Sequence, residues 1–408
     1  MLIKDILRDP IAARRYMERY VNDGSPSGFT WMYNTSVMTN PRGPATAFNL
    51  YAAKFAKDML SDYGDIPGFF GDAEILLHPD MAENELVTSC CESIRVSDFC
   101  VLPTSSSRTV EILNPDRPGY VKLNYKGLIG RIDRQITRNH AISSVELTEI
   151  IRKAVQASKL PRQFLFLEEP GARVVSLPTK TGKYEWGMVY REATPFPRPN
   201  KLHVGVPAFS LFSKDIKHEE DPPLLVQLVN SQNKAPDDYL FESIISPLIV
   251  CHFELLLNCA LELEFHAQNA LIGLNSDCMV VGIVIRDLES VDKDLSLAED
   301  LHINAEFRSA PYKCIQRGQY NYNIKHSFMF DFKLGEYFIT PLIEVIRQHF
   351  GVDSSAIIER TRELSRSYIS RLPPFFFPAD GNWYCYENIV LDRTKKRPYL
   401  ARANPKYR

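Results

Sequence analysis

Glu264-Phe265-His266-Ala267-Gln268-Asn269, followed by Asn275-Ser276-Asp277 and an apolar run ending in Arg286-Asp287, decides how this chain is read. Glu264, His266 and Gln268 have the two-residue period of one strand face. The run Cys278–Ile285 reads as a buried strand, and Asn275-Ser276-Asp277 has turn chemistry. A hairpin centred near Asn275-Ser276 puts Glu264 opposite Asp287 on adjacent antiparallel strands, with both side chains on one face. Two facing carboxylates beside a histidine and a glutamine make a hard, oxygen-rich site suited to Mg²⁺ carrying nucleotide phosphates. The plainer alternative is a satisfied polar cluster on a sheet edge.

Just upstream, Phe241–Leu263 is the most apolar stretch of the chain, but His252, Glu254, Asn258 and Glu262 interrupt it. Glu254, Asn258 and Glu262 are spaced as one helical stripe, which makes this a buried core helix. No uninterrupted apolar run approaches the roughly 18 residues of a membrane span. The whole chain has 408 residues, enough for two or three domains; 24% are charged and 45% hydrophobic, and the net charge is -2. Such balance gives no reason to expect nucleic acid or an anionic membrane as partner. The eight cysteines have no CxxC or Cys/His spacing for zinc, and several lie in apolar runs. That usage fits a reducing cytoplasm, as does the N-terminal stretch MLIKDILRDPIAARRYMERY, charged throughout and without an apolar signal core.

Three parts are expected: a helical N-terminal region (1–75), a β-rich part (76–210) and an α+β part with a helical C-terminus (211–408). In the first, Met1–Tyr20 is amphipathic and Ala47–Leu60 is a second helix candidate, capped by Thr46. In the second, Ile75–Leu77, Val110–Leu113, Val121–Tyr125, Phe164–Leu167 and Trp186–Tyr190 read as short strands, interrupted by a helix at Leu147–Ser158 capped by Ser143 or Ser144. In the third, Gly335–Phe350 and Ser354–Tyr368 are the clearest helices. Strands grouped in the middle with helices at both ends indicate α+β with largely antiparallel sheets.

A second polar group lies at Ser105-Ser106-Ser107-Arg108-Thr109, directly before a strand. Hydroxyls, backbone N–H groups and an arginine in one loop can hold a phosphate chain. Folding the next hairpin back brings Lys122 near Thr109–Glu111, and Arg134 follows twelve residues after Lys122. Read alone, a Ser/Thr-rich loop is ordinarily a turn and a lone lysine is ordinarily solvated.

In combination these elements resemble the NRPS-independent siderophore synthetases, the aerobactin-synthetase type of ATP-dependent ligase. Ser106-Ser107-Arg108-Thr109 resembles the family's Ser-x-Arg-Thr phosphate loop, Lys122-Leu123 its Lys-Leu strand, and Arg134 stands at the family spacing. Glu168-Glu169 and Val189–Glu192 resemble its paired middle strands. Pro247–Asn269 resembles its long helix leading into Glu-x-His-x-Gln-Asn, and Arg286-Asp287 its Arg-Asp strand end. Lys396, Arg402 and Asn404-Pro405 resemble a Lys-x5-Arg helix and its exit. The resemblance spans residues 75–408 and implies the family's thumb, fingers and palm architecture with a reduced N-terminal lobe.

It further implies ATP and Mg²⁺. Glu264 and Asp287 would hold the metal. Ser106, Arg108, Thr109, Lys122, Gln268 and Asn269 would hold the nucleotide. Arg134, His266 and Lys396 would hold the substrate acid, with His266, Arg134 and Lys122 closest to the chemistry. The implied reaction joins a carboxylic acid to an amine or hydroxyl through an acyl-adenylate, releasing AMP. Alternatives are a nucleotide- or metabolite-binding partner of a full-length synthetase, and a phosphoryl-transferring enzyme. A homodimer or a partner synthetase is possible on this reading. Two departures stand out. The family's His-Pro-x-His-Pro-x-x-Lys motif has no counterpart, since residues 1–75 contain no histidine and Thr39–Pro44 is at best a remnant. Gly130-Arg131 replaces the family's Thr-Ser, which puts citrate in doubt as the acid. A site lacking that wall is expected to be open and to bind ATP weakly.

Overall fold

The computed structural model describes residues 1–22, 43, 47–129, 132–304, 307, 313–319, 321–374, 376–384 and 399–408. Lys396, Gly130-Arg131 and Thr39–Arg42 lie outside them. The fold is α+β with mostly antiparallel sheets. Eight strands form one antiparallel sheet in the order Leu60–Gly64, Gly171–Thr179, Gly182–Arg191, Gly119–Leu123, Thr109–Ile112, Ser93–Pro103, Phe48–Lys54, Glu74–Leu77. A second sheet of four runs Val204–Pro207, Ala270–Leu274, Val280–Ile285, Phe164–Phe166, with only the last pair parallel.

The helix Arg138–Gln156 lies on the large sheet, where Ile136 and Ala141 pack against Ala172, Val174 and Val189. Its other apolar residues, Leu147 and Ile151, enter a larger core with the helix Ser246–Cys259 and the second sheet. Burial of each contributes about 1.5–3 kcal/mol. It begins at Thr137, whose hydroxyl caps the first turn by accepting from His140 N, well before the expected start. Ser143 and Ser144 are therefore buried inside the helix.

Several expectations are corrected. Ala47–Leu60 contains a strand, Phe48–Lys54, because Leu50, Ala52 and Ala53 are buried by pairing with strands on both sides. Long-range pairing overrides the helix propensity of alanine and lysine. Met1–Tyr20 is two helices, Ile3–Arg8 and Pro10–Tyr20, divided where the Asp9 side chain caps the second and Pro10 opens it. The core helix ends at Cys259, where Ala260 turns left-handed, so Glu262 leaves the polar stripe and joins a short strand. Tyr399–Arg402 is a strand paired with Gly381–Tyr384 rather than a helix. Gly335–Phe350 is the end of a longer helix that starts at Tyr322 and whose middle part, Phe328–Ile339, is π-helical.

The opening hairpin also differs. Glu264–Asn269 is not a strand. The ladder pairs Ala270 with Ile285, and the bond from Arg286 N to Asn269 O at 2.9 Å extends that register. Gln268, not Glu264, therefore comes opposite Asp287. The turn spans Asn275–Met279, where Asn275 O and Oδ1 accept the N–H groups of Cys278, Asp277 and Met279. A longer turn shifts the register, and a shifted register changes every cross-strand partner.

Candidate nucleotide and acid site

The Ser105–Arg108 loop joins two neighbouring strands of the large sheet. Its shape comes from its own hydroxyls: Thr104 Oγ1 donates to Thr109 O at 2.6 Å, and Ser106 Oγ accepts from Thr109 N at 3.0 Å. Ser107 is held at φ 62° and Asp287 at φ 73°, both left-handed. Non-glycine residues adopt that conformation at a cost that surrounding contacts must offset, and such residues gather at functional sites. Here Asp287 lines the same cleft as Ser106 and Arg108, the two neighbours of Ser107.

That cleft is lined by Ser105, Ser106, Arg108, Thr109, Tyr120, Lys122, Arg134, Arg191, Gln268, Asn269, Arg286 and Asp287, among others. Lys122 is the direct cross-strand partner of Thr109. Its ammonium binds both Asp287 Oδ1 and Glu289 Oε2. Arg108 donates to Arg134 O at 2.7 Å and reaches Glu289 at 3.4 Å. Arg191 lies 3.3 Å from Asp287 and is fixed by buried Glu169 at 2.6 Å. That pair, with the bond from Glu192 N to Glu168 O, ties together the two middle strands, which belong to different sheets. Arg134 alone among these cations has no carboxylate partner among the described residues.

Electrostatics follow from this packing. Burial alone would raise the carboxyls, but Lys122 and Arg191 hold Asp287 far below its ordinary range, and Lys122 and Arg108 bring Glu289 down to about 2. Glu264, half-buried, is likewise strongly lowered, chiefly by Lys333 Nζ at 2.9 Å. His266 is lowered to about 4 by burial, which the charges of Glu264 and Asp287 offset only in part. Its Nε2 lies 3.9 Å from Glu264 Oε1, and its Nδ1 is buried without a partner among the described residues. The two carboxylates expected to face each other across a hairpin thus both act on His266, by a different route through the fold.

The first twenty residues contribute what no motif indicated. Glu18, on the helix Pro10–Tyr20, is buried and accepts from Ser105 N at 3.1 Å and from Arg286 Nη2 at 3.3 Å. Arg286 also donates to Gln268 O at 2.7 Å. One carboxylate therefore links the Ser105–Arg108 loop to the strand end that carries Asp287. Glu289, His140 (3.3 Å from Glu289) and Lys333 were also missed. Lys333 carried a usable signal, since a lysine inside Phe328–Ile339 needs a buried partner. Glu18 carried none, because a glutamate on an amphipathic helix ordinarily faces water.

No family model and no curated protein matches the chain by sequence. Solved structures do match. The petrobactin biosynthesis protein AsbB from Bacillus anthracis superposes with a TM-score of 0.71 at 12% identity, over 96% of this chain and 74% of that one. ATP-bound aerobactin synthetase IucA from Klebsiella pneumoniae gives 0.72 at 15% identity, over 98% and 79%. Aerobactin synthetase IucC from Klebsiella pneumoniae gives 0.66 at 11%, over 82% and 64%. Tertiary structure meets the resemblance first carried by the motifs: this chain has the fold of the NRPS-independent siderophore synthetases.

Proposed function

We propose that the chain is an ATP-dependent ligase that joins a carboxylic acid to an amine or hydroxyl through an acyl-adenylate, in siderophore or related natural-product biosynthesis. One observation carries this reading. Arg108, Lys122, Arg191 and Arg286 converge on one cleft in contact with ionised carboxylates, while Arg134 remains without such a partner. A polyphosphate can replace those carboxylates as partner of the cations, and a substrate carboxylate can take Arg134.

In this reading Ser106, Arg108, Thr109 and Lys122 bind the phosphates, and Gln268 and Asn269 orient the nucleotide. Arg134 and His266 hold the acid, with Lys396 as a further anionic contact. A carboxylate oxygen of the acid attacks the α-phosphorus, forming an acyl–phosphate bond as pyrophosphate leaves. The acceptor nitrogen or oxygen then attacks the acyl carbon, the bond to AMP breaks, and the acceptor's proton passes to His266 or to water. A histidine held near 4 by burial is a weak base, so its first role is to orient the acid.

The donor chemistry fits Mg²⁺: Asp287 and Glu264 are ionised hard-oxygen donors, and this ion is commonly held by one or two carboxylates plus substrate phosphates. Bound there, it would neutralise charge growing on the pyrophosphate. Among the described residues no cluster of three His, Cys, Asp or Glu has metal-binding geometry, so phosphate oxygens would complete the shell.

The test is product analysis with ATP, Mg²⁺, a panel of di- and tricarboxylic acids, and hydroxylamine as a small acceptor. AMP, pyrophosphate and a hydroxamate support ligation. ADP supports phosphoryl transfer, and nucleotide binding without turnover supports a binding partner of another synthetase.

A further inference from the structure

Beside the cleft, and sharing Tyr120 and Leu167 with it, is a second cavity of ≈ 230 Å³. Its walls are apolar, built from Ile11, Pro195, Pro199 and Leu271. Its polar side chains are Arg14, Arg198, His203, Thr194 and Tyr120, with no acidic residue in the wall. Arg14 shares the Glu111 carboxylate, at 2.7 Å, with Arg15 at 2.9 Å, and lies over the Tyr120 ring. Arg198 has no carboxylate partner among the described residues, and His203 Nε2 is buried without a hydrogen-bond partner among them.

A buried polar atom without a partner calls for an explanation, and an absent ligand is one. The cavity therefore calls for a molecule with an anionic end for Arg198 and His203 and an aliphatic body for the proline and leucine walls. Its other end would reach past Tyr120 to the cleft, where the ligase reading places the activated acyl group. An amine that also carries a carboxylate fits this order, amine toward the cleft and carboxylate toward the arginine. A simple diamine does not, because its far end would meet Arg198.

We propose that this cavity is the acceptor chamber, and that it selects amines bearing a carboxylate, of the amino-acid type, over diamines. The proposal rests on the ligase reading above and deepens it. A charge-assisted contact of this kind contributes about tenfold in affinity.

The experiment compares L-lysine with cadaverine and L-ornithine with putrescine, each pair differing only in the carboxylate. Amide formation by the full chain is normalised to the hydroxamate that the same preparation makes with hydroxylamine. Binding of all four amines is measured in parallel by calorimetry without nucleotide. At least one amino acid should be favoured about tenfold over its diamine, and the ratio should fall to within about twofold in Arg198→Ala. Arg198 is exposed, so the substitution leaves the core intact. Diamines bound or used equally well, a ratio unchanged in the variant, or no binding and no use of any of the four while hydroxamate forms would each overturn the proposal. Absence of hydroxamate and of ATP consumption counts against the ligase reading instead, and the calorimetric ratio then decides the chamber by itself.

Discussion

Two dense charge clusters occupy this molecule, and only one has the makings of a site. Around the cleft, Asp287 and Glu289 retain 30% and 14% exposure while binding Lys122. In the second cluster His326 lies between Glu262 at 2.8 Å and Asp294 at 3.1 Å, and all three are fully buried. Tyr322 donates to Asp294 at 2.9 Å and Phe376 stacks on the imidazole at 3.8 Å. Both places set carboxylates against basic side chains, lysine and arginine in the cleft and histidine in the second cluster. The difference is whether a ligand can enter and exchange partners, and only the cleft offers that. Burial, not composition, separates a binding site from an internal strut.

The largest expected effect tests the strut. His326→Ala leaves Glu262 and Asp294 without their shared cation, and breaking such a pair costs about 3–5 kcal/mol. Urea unfolding should show that loss, while ATP affinity of the folded fraction should stay as before. An ATP affinity that falls in step would merge the two clusters and void the contrast.

Asp287→Asn should slow acid-dependent pyrophosphate exchange by about 10²–10³-fold with little change in the unfolding midpoint, because Lys122 keeps Glu289. A large stability loss with normal exchange would make the cleft a strut as well. Smaller still, Arg108→Ala should weaken ATP binding about tenfold or more and slow adenylate formation. His266→Ala should instead raise the KM for the acid or slow condensation. Equal loss of ATP binding in the two variants would contradict this division.

The pH dependence sharpens the comparison. Burial opposes charge on His326, but Glu262 and Asp294 outweigh it and raise its pKa to about 9. A raised histidine stabilises the fold fully below its unfolded value of about 6.5, and that contribution fades as pH rises through 9. His266, lowered to about 4, behaves oppositely: its contribution is complete above about 6.5 and is lost as pH falls toward 4. Unfolding midpoints of wild type and each His→Gln variant across pH 4–10 would check both signs. The smallest effect concerns the wall: Glu18→Gln should loosen the phosphate loop and lower ATP affinity severalfold. Tight ATP binding by wild-type monomer would mean that the first twenty residues complete the wall that the missing histidine-proline motif led us to expect open.

The Ser105–Arg108 loop was legible as a loop between two strands because its chemistry is local: hydroxyls and an arginine, with Lys122 one hairpin away. The Glu264–Asp287 hairpin was legible in residue type but not in register, because turn length is set by Asn275 accepting three N–H groups, which periodicity does not reveal. The strand at Phe48–Lys54 was misread as a helix for the related reason that its partners lie up to about fifty residues away.

By itself, then, the sequence determined the class of fold, four of the eight strands of the large sheet, and a set of polar residue types that suits a nucleotide, since each depends on neighbours within a hairpin. Tertiary structure alone decided that Glu264 pairs with Lys333 beside His266, that Glu18 ties the Ser105–Arg108 loop to Arg286, and that one of two charge clusters stays open. Those outcomes depend on burial and on contacts between residues hundreds of positions apart, where electrostatic strength is set by the surroundings rather than by the residue.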